Sequence, residues 1–479
     1  RRDLGPRAAR AGGAPAPRRA ALDAAAAAGQ ACGERQAREE RMAEVAPLGR
    51  PYWAEGAPEA PEVDRDLGFL AGDPEAVVIG AGFTGLSAAL EMARRGVRVV
   101  VLEAGEPGAG ASTVNGGMIG SPHGLGGPAA VARYGEALAD RLFAEGREGF
   151  EWTVSLIERE GIACDFHRWG RLRLAWNRDH FKAMRTEAEM LSARGWPIEV
   201  IGREGLAQEI GSDRYVGGVL HPDHGGLNPR RFHDGLLRAA LKAGARVVAG
   251  CPVEGLGRTR SGFALRTPLG RIETDAVIAA TNGYTPGCLR WISDRCFPLP
   301  SFQIATAPLP EGMAARIAPG RRMMVESRRR HGYFRLSPDG TRLLYGGRAS
   351  LHPIPMARAK ATLRRLMAET YPELARHPVS HVWTGSLGFT FARHPHVGRR
   401  EGVWFAMGYS GNGVALSPWL GRKAALGALG APEGGTAFSE TEFETRPWRG
   451  LMRAGLMPVA SLMQRPIDWR ENRQARRAR

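Results

Sequence analysis

The segment 75–103 constrains this chain more than any other. It opens on a short apolar run of buried-strand type, EAVVI at 75–79, and passes at once into Gly80-Ala-Gly82-Phe-Thr-Gly85. A helical apolar period then places Leu86, Ala89, Leu90 and Ala93 on one face, and a β-branched run at 97–102 ends on Glu103. Strand, glycine turn, helix, strand and terminal acid, with the acid 23 residues after Gly80, is the order of a dinucleotide-binding βαβ unit. Each glycine has its own task. Gly80 permits the tight turn, Gly82 lets backbone approach a pyrophosphate, and Gly85 lets the helix pack close to the strand. The helix start brings amides and partial positive charge to the phosphates, while Glu103 suits a ribose hydroxyl and disfavours a 2′-phosphate. The plainer alternative is a doubly wound unit that binds no nucleotide.

Further along, the pattern predicts a helix over 232–241 and strands over 245–248 and 276–280, the last followed by Thr281-Asn-Gly-Tyr284. Residues 403–407 (VWFAM) read as another buried strand, running into Gly408-Tyr-Ser-Gly411-Asn-Gly413 and a helix over 414–429. A second glycine turn so far from the first predicts an α/β fold with a discontinuous Rossmann-like cofactor domain over 46–135, 203–285 and 385–432. The remainder, 136–202 and 286–384, is expected to form an α+β substrate domain built on an antiparallel sheet. Runs at 323–325, 332–336 and 342–345, with the turn signal Pro338-Asp-Gly340, are its expected strands.

The length of 479 residues fits two or three domains or one elaborated α/β unit, and 43% hydrophobic with 24% charged residues is a globular balance. No apolar run approaches the ~20 residues that cross a bilayer, so no membrane insertion and a cytoplasmic location are expected. Five scattered cysteines without a CxxC pair give neither a disulfide framework nor a metal site. The net charge of +17 is concentrated at the ends: 1–50 carries +4 and 446–479 carries +7. Only four residues are lysine, and no basic stripe is interleaved with aromatics, so nucleic acid is not an expected partner. Residues 1–45, rich in Ala, Arg, Gly and Pro, are expected to be disordered, with Met42 an alternative start. The basic tail 433–479 is expected to dock in part through Trp448, Leu451, Leu456, Met457 and Leu462.

The motifs VVIGAGFTGLSAAL (77–90), VVVLEAGEPGAGASTVNGGM (99–118), AVIAATNGYTP (276–286), FPLPSFQIATAPL (297–309), YFRLSPDGTRLLYGG (333–347) and the 381–417 stretch ending GYSGNGVALS occur here in one order. With them the chain resembles the FAD-dependent D-amino-acid-oxidase-like superfamily, and within it is most similar in appearance to the gamma-glutamylputrescine oxidoreductase group. The resemblance implies FAD, with Gly80, Gly82 and Gly85 at the pyrophosphate and Glu103 at the adenosine ribose. It implies that Ser112, Asn115, Gly116 and Gly117 pass the flavin, that the backbone of Val253 meets adenine, and that Gly408, Ser410, Gly411, Asn412 and Gly413 approach the pyrimidine edge. Relatives commonly carry an arginine in the flavin loop where this chain has Val114.

The reaction implied is oxidation of a carbon bearing an amine or amino-acid nitrogen, by hydride transfer to flavin N5, giving an imine that water hydrolyses. Oxygen or another acceptor then reoxidises the flavin. The candidate substrate residues are Arg335 as a carboxylate fork, with His331, Gln303 and Tyr409 lining the pocket. Neither Cys288 nor Cys296 lies in an attachment motif, so non-covalent FAD is expected. Two rival readings are a glycine or D-amino-acid oxidase and a non-enzymatic flavin-binding interaction protein. Because 1–45 has no periodic apolar face, its deletion should leave flavin content and thermal midpoint unchanged; loss of either, read by absorbance and melting, would contradict this assignment.

Overall fold

The computed structural model describes residues 49–70, 72–121, 127–330, 332–451 and 457–477. Residues 1–45, His331 and Leu456 therefore lie outside the described residues.

Ala76–Ile79 is buried at all four positions and so requires cover on both faces. It sits inside a six-stranded sheet, parallel to Val99–Leu102 on one side and to Ala276–Ala279 on the other. Arg246–Val248 and Val403–Met407 extend the parallel set outward, and His396–Arg400 adds an antiparallel edge. Alternation divides the cover. Val78 and Val101 pack into a helical layer with Leu86, Leu236 and Leu420, whereas Val77 and Val100 meet Phe263, Leu265 and Ile272. The latter three come from a small antiparallel sheet of Gly255–Arg258, Phe263–Thr267 and Gly270–Thr274.

In the helical layer, Phe83–Arg94 and Gly413–Ala428 approach closely enough that a Cβ on Gly421 would stand 2.1 Å from the Thr84 carbonyl oxygen. Ser87 Oγ donates to the Pro418 carbonyl at 2.7 Å, and the Thr84 and Tyr409 hydroxyls share a bond of 2.7 Å. These contacts lock the helix after the first glycine turn to the helix after the second.

The second sheet has eight strands, in the order Val379–Phe389, Phe297–Thr306, Leu343–Gly347, Gly332–Leu336, Met323–Glu326, Arg171–Leu174, Gly217–His221 and Glu199–Gly202. Helix Met356–Thr370 covers one face, burying Leu363 and Met367 against Phe302, Phe334 and Tyr345. The opposite face turns toward the first sheet.

Several expectations shift. The three runs expected as antiparallel strands are antiparallel to one another, but Met323–Glu326 pairs in parallel with Arg171–Leu174, so the sheet is mixed. Gly217–His221, grouped above with the cofactor domain, belongs to this second sheet. Helix Glu136–Arg159, grouped with the substrate domain, instead packs Leu142, Phe150 and Val154 into the helical layer of the first. An apolar face announces burial without naming what buries it. In the tail, Trp448 and Leu462 are 48% and 54% exposed, yet Trp448 sets its ring edge-on to Phe391 at 5.1 Å, and further residues share the docking. Phe438 is buried, Phe443 stacks on His396, and Asn472 accepts from Trp176 Nε1 at 3.1 Å. No helix among the described residues is long and apolar enough to cross a membrane.

The Gly421 contact is with backbone, which cannot swing aside. Gly421→Val should therefore destabilise the protein by about 3 kcal/mol or more, seen as a lower denaturant midpoint.

Candidate active site

A cavity of about 460 Å³ opens at the C-terminal ends of Ala76–Ile79, Val99–Leu102 and Ala276–Ala279, where ligands of open parallel sheets bind. Gly80, Gly82, Glu103, Ser112, Asn115, Val253, Tyr409, Ser410, Gly411 and Gly413 all line it. The structure thus brings together residues that the sequence scatters over four segments. Ile79, Leu102, Ala280 and Leu387 add apolar walls.

The first turn obeys the division of labour read from its glycines. Gly80 has φ +103°, and a Cβ on it would stand 3.1 Å from the Ala280 carbonyl oxygen. A Cβ on Gly82 would come 2.9 Å from Ser112 Oγ, the hydroxyl that accepts from the Phe83 amide at 3.0 Å. Gly85 does not line the cavity; a Cβ there would fall 1.9 Å from the Gly80 carbonyl oxygen. Glu103 accepts from the Ala81 amide at 2.8 Å and the Gly105 amide at 3.1 Å. Its carboxylate is thereby fixed at the cavity wall with acceptor capacity left for a ligand hydroxyl.

The second turn is left-handed at Gly408, Ser410 and Gly411. The Gly408 amide donates to Asn282 Oδ1 at 3.0 Å, which ties the end of Val403–Met407 to the loop after Ala276–Ala279. Gly408 itself is outside the lining, as is Asn412, the N-cap position of Gly413–Ala428. Sequence reasoning noticed Thr281-Asn-Gly-Tyr284 without giving Asn282 this task. Two helix N-termini, at Phe83 and Gly413, border one cavity, so first-turn amides without intrahelical partners face it from both sides.

The loop 111–117 is held from outside by its carbonyls. Val114 accepts from Trp383 Nε1 at 2.9 Å and from Gln303 Nε2, Asn115 accepts from Trp53 Nε1 at 2.7 Å, and Gly117 accepts from Arg335 Nη1 at 2.8 Å. Gln303 and Arg335, singled out as pocket residues, do not line the cavity; they grip the loop beside it. Arg335 is 1% exposed and also donates to the Leu227 and Leu336 carbonyls, and burial brings its pKa down to about 9. Gly116 faces the Tyr333 ring, and Gly117, with φ +64°, faces the Leu227 carbonyl. Tyr409 does line the cavity, and burial raises the pKa of its hydroxyl. Trp53 and Trp383 were missed because an indole donor aimed at a carbonyl leaves no pattern in sequence.

The side chain of Val114 packs over Gly385, with Cγ2 only 2.2 Å from where a Cβ there would lie. Cys288 and Cys296 do not line the cavity, and burial pushes the Cys296 thiol up to about 12.

A glycine-turn βαβ unit, an acid closing its second strand and two helix N-termini on one cavity define a dinucleotide-binding oxidoreductase architecture. Residues 75–426 match the FAD dependent oxidoreductase (DAO) family, and the chain belongs to it. It is 32% identical over 363 residues to probable oxidoreductase OrdL of Haemophilus influenzae, covering 74% of this chain and 83% of that one. It is 31% identical over 369 residues to gamma-glutamylputrescine oxidoreductase of Escherichia coli, covering 76% and 85%. The solved glycine oxidase from Geobacillus kaustophilus shares the fold, with a TM-score of 0.65 at 20% identity over 78% of this chain and 98% of that one. The cavity fits the family's FAD: it offers backbone amides as donors and one fixed carboxylate as acceptor, and Gly82 leaves open the space that a side chain would fill.

Trp53→Phe removes the indole donor together with the pyrrole ring's volume, leaving the Asn115 carbonyl short of its partner and a small void at a fully buried position. It should destabilise the loop by about 1–3 kcal/mol and raise the FAD dissociation constant, as read by flavin fluorescence. Wild-type affinity and stability in this variant would contradict the role given to Trp53.

Proposed function

We propose that the protein oxidises the C–N bond of a small amine or amino acid to an imine. FAD supplies the hydride acceptor at N5, and oxygen or another acceptor regenerates it. In this reading Gly80, Gly82 and the first-turn amides of Phe83–Arg94 hold the pyrophosphate, Glu103 holds the adenosine ribose, and Val253 borders the adenine. Ser112, Asn115, Gly116 and Gly117 present small side chains and backbone to the ring. The 408–413 turn and the N-terminus of Gly413–Ala428 offer positive potential at the pyrimidine edge, where a reduced flavin gathers negative charge. Gln303 and Arg335 act as positioning residues, keeping the loop in place through its carbonyls.

The observation that carries this reading is that Leu387 and Gly388, from the edge strand of the second sheet, complete a cavity that begins at the glycine turns. The distal end of that cavity therefore abuts the sheet face bearing Ser301, Tyr333 and Gly346. A small substrate there has its reacting carbon beside the loop. Similarity to gamma-glutamylputrescine oxidoreductase supports an amine as that substrate. The rival glycine or D-amino-acid reading draws on Arg335 as a carboxylate clamp, and its engagement with three backbone carbonyls favours the amine reading.

Anaerobic mixing with a panel of primary amines, secondary amines and amino acids should bleach the visible flavin absorbance with at least one amine. Acid denaturation should release the flavin from the polypeptide. Flavin that dithionite reduces but no member of the panel bleaches would overturn the assignment.

A further inference from the structure

The C-terminal helices carry an inverted amphipathic pattern. Met457–Leu462 and Gln464–Arg477 meet at Met463, whose amide still donates to the Val459 carbonyl at 3.0 Å, so one helical period runs through the join. Pro466, with no N–H to give the Leu462 carbonyl, accounts for the interruption. The side turned to the body of the protein is polar or small. Ser461 Oγ accepts from the Leu351 amide at 3.4 Å, Glu471 accepts from the Arg329 amide at 3.0 Å, Asn472 accepts from Trp176 Nε1, and Ala475 is buried in the core of the eight-stranded sheet. Val459, Leu462, Met463, Trp469, Arg470 and Arg473 fall at i, i+3, i+4, i+10, i+11 and i+14, a stripe on the opposite side, and all six are exposed.

A large apolar side chain left in water forgoes its transfer free energy, and a soluble surface scatters such residues singly. Here they are gathered. Among the described residues nine large apolar side chains are exposed, and four of them lie between 459 and 469, with Met463 and Trp469 at 69% and 64%. The same stripe is basic. Arg470 and Arg473 make no ion pair among the described residues, and the Arg473 guanidinium carbon lies 5.3 Å from the centre of the Trp469 ring. Residues 464–479 hold six arginines against Asp468 and Glu471, and Glu471 is already engaged with the Arg329 amide. An occupant of this face must therefore be apolar within and anionic at its surface. A convex helix face gives a protein partner no pocket in which to seat an anchor residue, whereas a bilayer needs none.

We propose that this stripe docks the protein on an anionic lipid surface, lying in the plane of the interface without spanning it. Val459, Leu462, Met463 and Trp469 enter at the level of the headgroups, and Arg470 and Arg473 meet lipid phosphates. The stacked position of Arg473 on Trp469 lets one side chain cover the other's ring while its charged end stays among the headgroups. The docking goes beyond the amine-oxidation reading and does not depend on it.

The test uses the FAD-loaded full-length protein with vesicles of phosphatidylcholine alone or mixed in equal parts with phosphatidylglycerol, and reads the protein that sediments with lipid. The wild type should sediment with the mixed vesicles and far less with phosphatidylcholine, and the bound fraction should fall as salt is raised. Leu462→Gln and Trp469→Gln should each weaken partitioning about tenfold or more. Arg470→Gln and Arg473→Gln should each weaken it about fivefold on the mixed vesicles alone. Val200→Gln, at an exposed apolar side chain on the strand Glu199–Gly202, should partition as the wild type does. All five variants should keep the wild-type melting midpoint; should Trp469→Gln lower it, the two arginine variants decide. A wild type that does not sediment with mixed vesicles at low salt, stripe variants that bind as the wild type does, or an equal loss in Val200→Gln would overturn the proposal. So would self-association in the absence of lipid that Trp469→Gln abolishes, since the stripe would then belong to a second copy of the chain.

Discussion

Four side-chain donors on three carbonyls hold the 111–117 loop, and the arrangement of both sheets meets in that grip. Backbone carbonyls removed from water must find partners; within the segment Asn115 Nδ2 serves those of Ala111 and Ser112, and the carbonyls of Val114, Asn115 and Gly117 draw on donors from outside it. Here they come from another layer: Gln303, Arg335 and Trp383 stand on three different strands of the eight-stranded sheet, and Trp53 comes from the segment preceding the first strand. The position of the loop is therefore a property of the second sheet as much as of the first. Gly116 and Gly117 complete the arrangement by letting Tyr333 and the Leu227 carbonyl approach where a side chain would collide. Any shift of the large sheet is transmitted directly to the cavity wall at Asn115.

Arginine in this chain serves geometry more than field. With 62 arginines to four lysines the composition invites a reading as a polyanion binder. The interior uses of arginine are different. Arg335 distributes its donors over backbone carbonyls, and Arg214 lies flat over Trp176 with 3.6 Å from guanidinium carbon to ring centre. Arg328 closes a buried network with Glu326, Glu369 and Tyr345. A planar fork that cannot lose its proton in water suits all three tasks, and an ammonium suits none of them as well.

What could be read from the sequence divides along the range of the constraint. The βαβ unit was legible because Gly80 and Gly85 answer clashes at an adjacent strand end or within a few residues, Gly82 falls in the same short motif although its neighbour is Ser112, and the 403–413 stretch repeats the glycine-turn pattern. Strand and helix identities at Met323–Glu326, Pro229–Lys242 and Gly413–Ala428 were legible for the same reason, since period is local. Partners were not. Gln303 and Arg335 stood out by motif, yet nothing in their neighbourhood says that their donors end on Val114 and Gly117. The parallel pairing of Met323–Glu326 with Arg171–Leu174 joins segments with no turn between them to announce it. Nor does the apolar stripe of Glu136–Arg159 say which sheet it will cover.

The order of the strands has a consequence for how the molecule comes into being. Ala76–Ile79 and Val99–Leu102 are synthesised early, but the outer parallel strand Val403–Met407 and the helix that meets Thr84 at Gly421 emerge only after the whole eight-stranded sheet has been made. Through most of translation the nascent chain carries an unfinished α/β core, with one edge of Ala276–Ala279 open and one face of Phe83–Arg94 unclothed. Such non-local closure makes for slow folding and prolonged exposure of sticky surface. The cavity wall is thus complete only at the last act of assembly, when the 403–428 segment arrives beside the turn that 80–85 began.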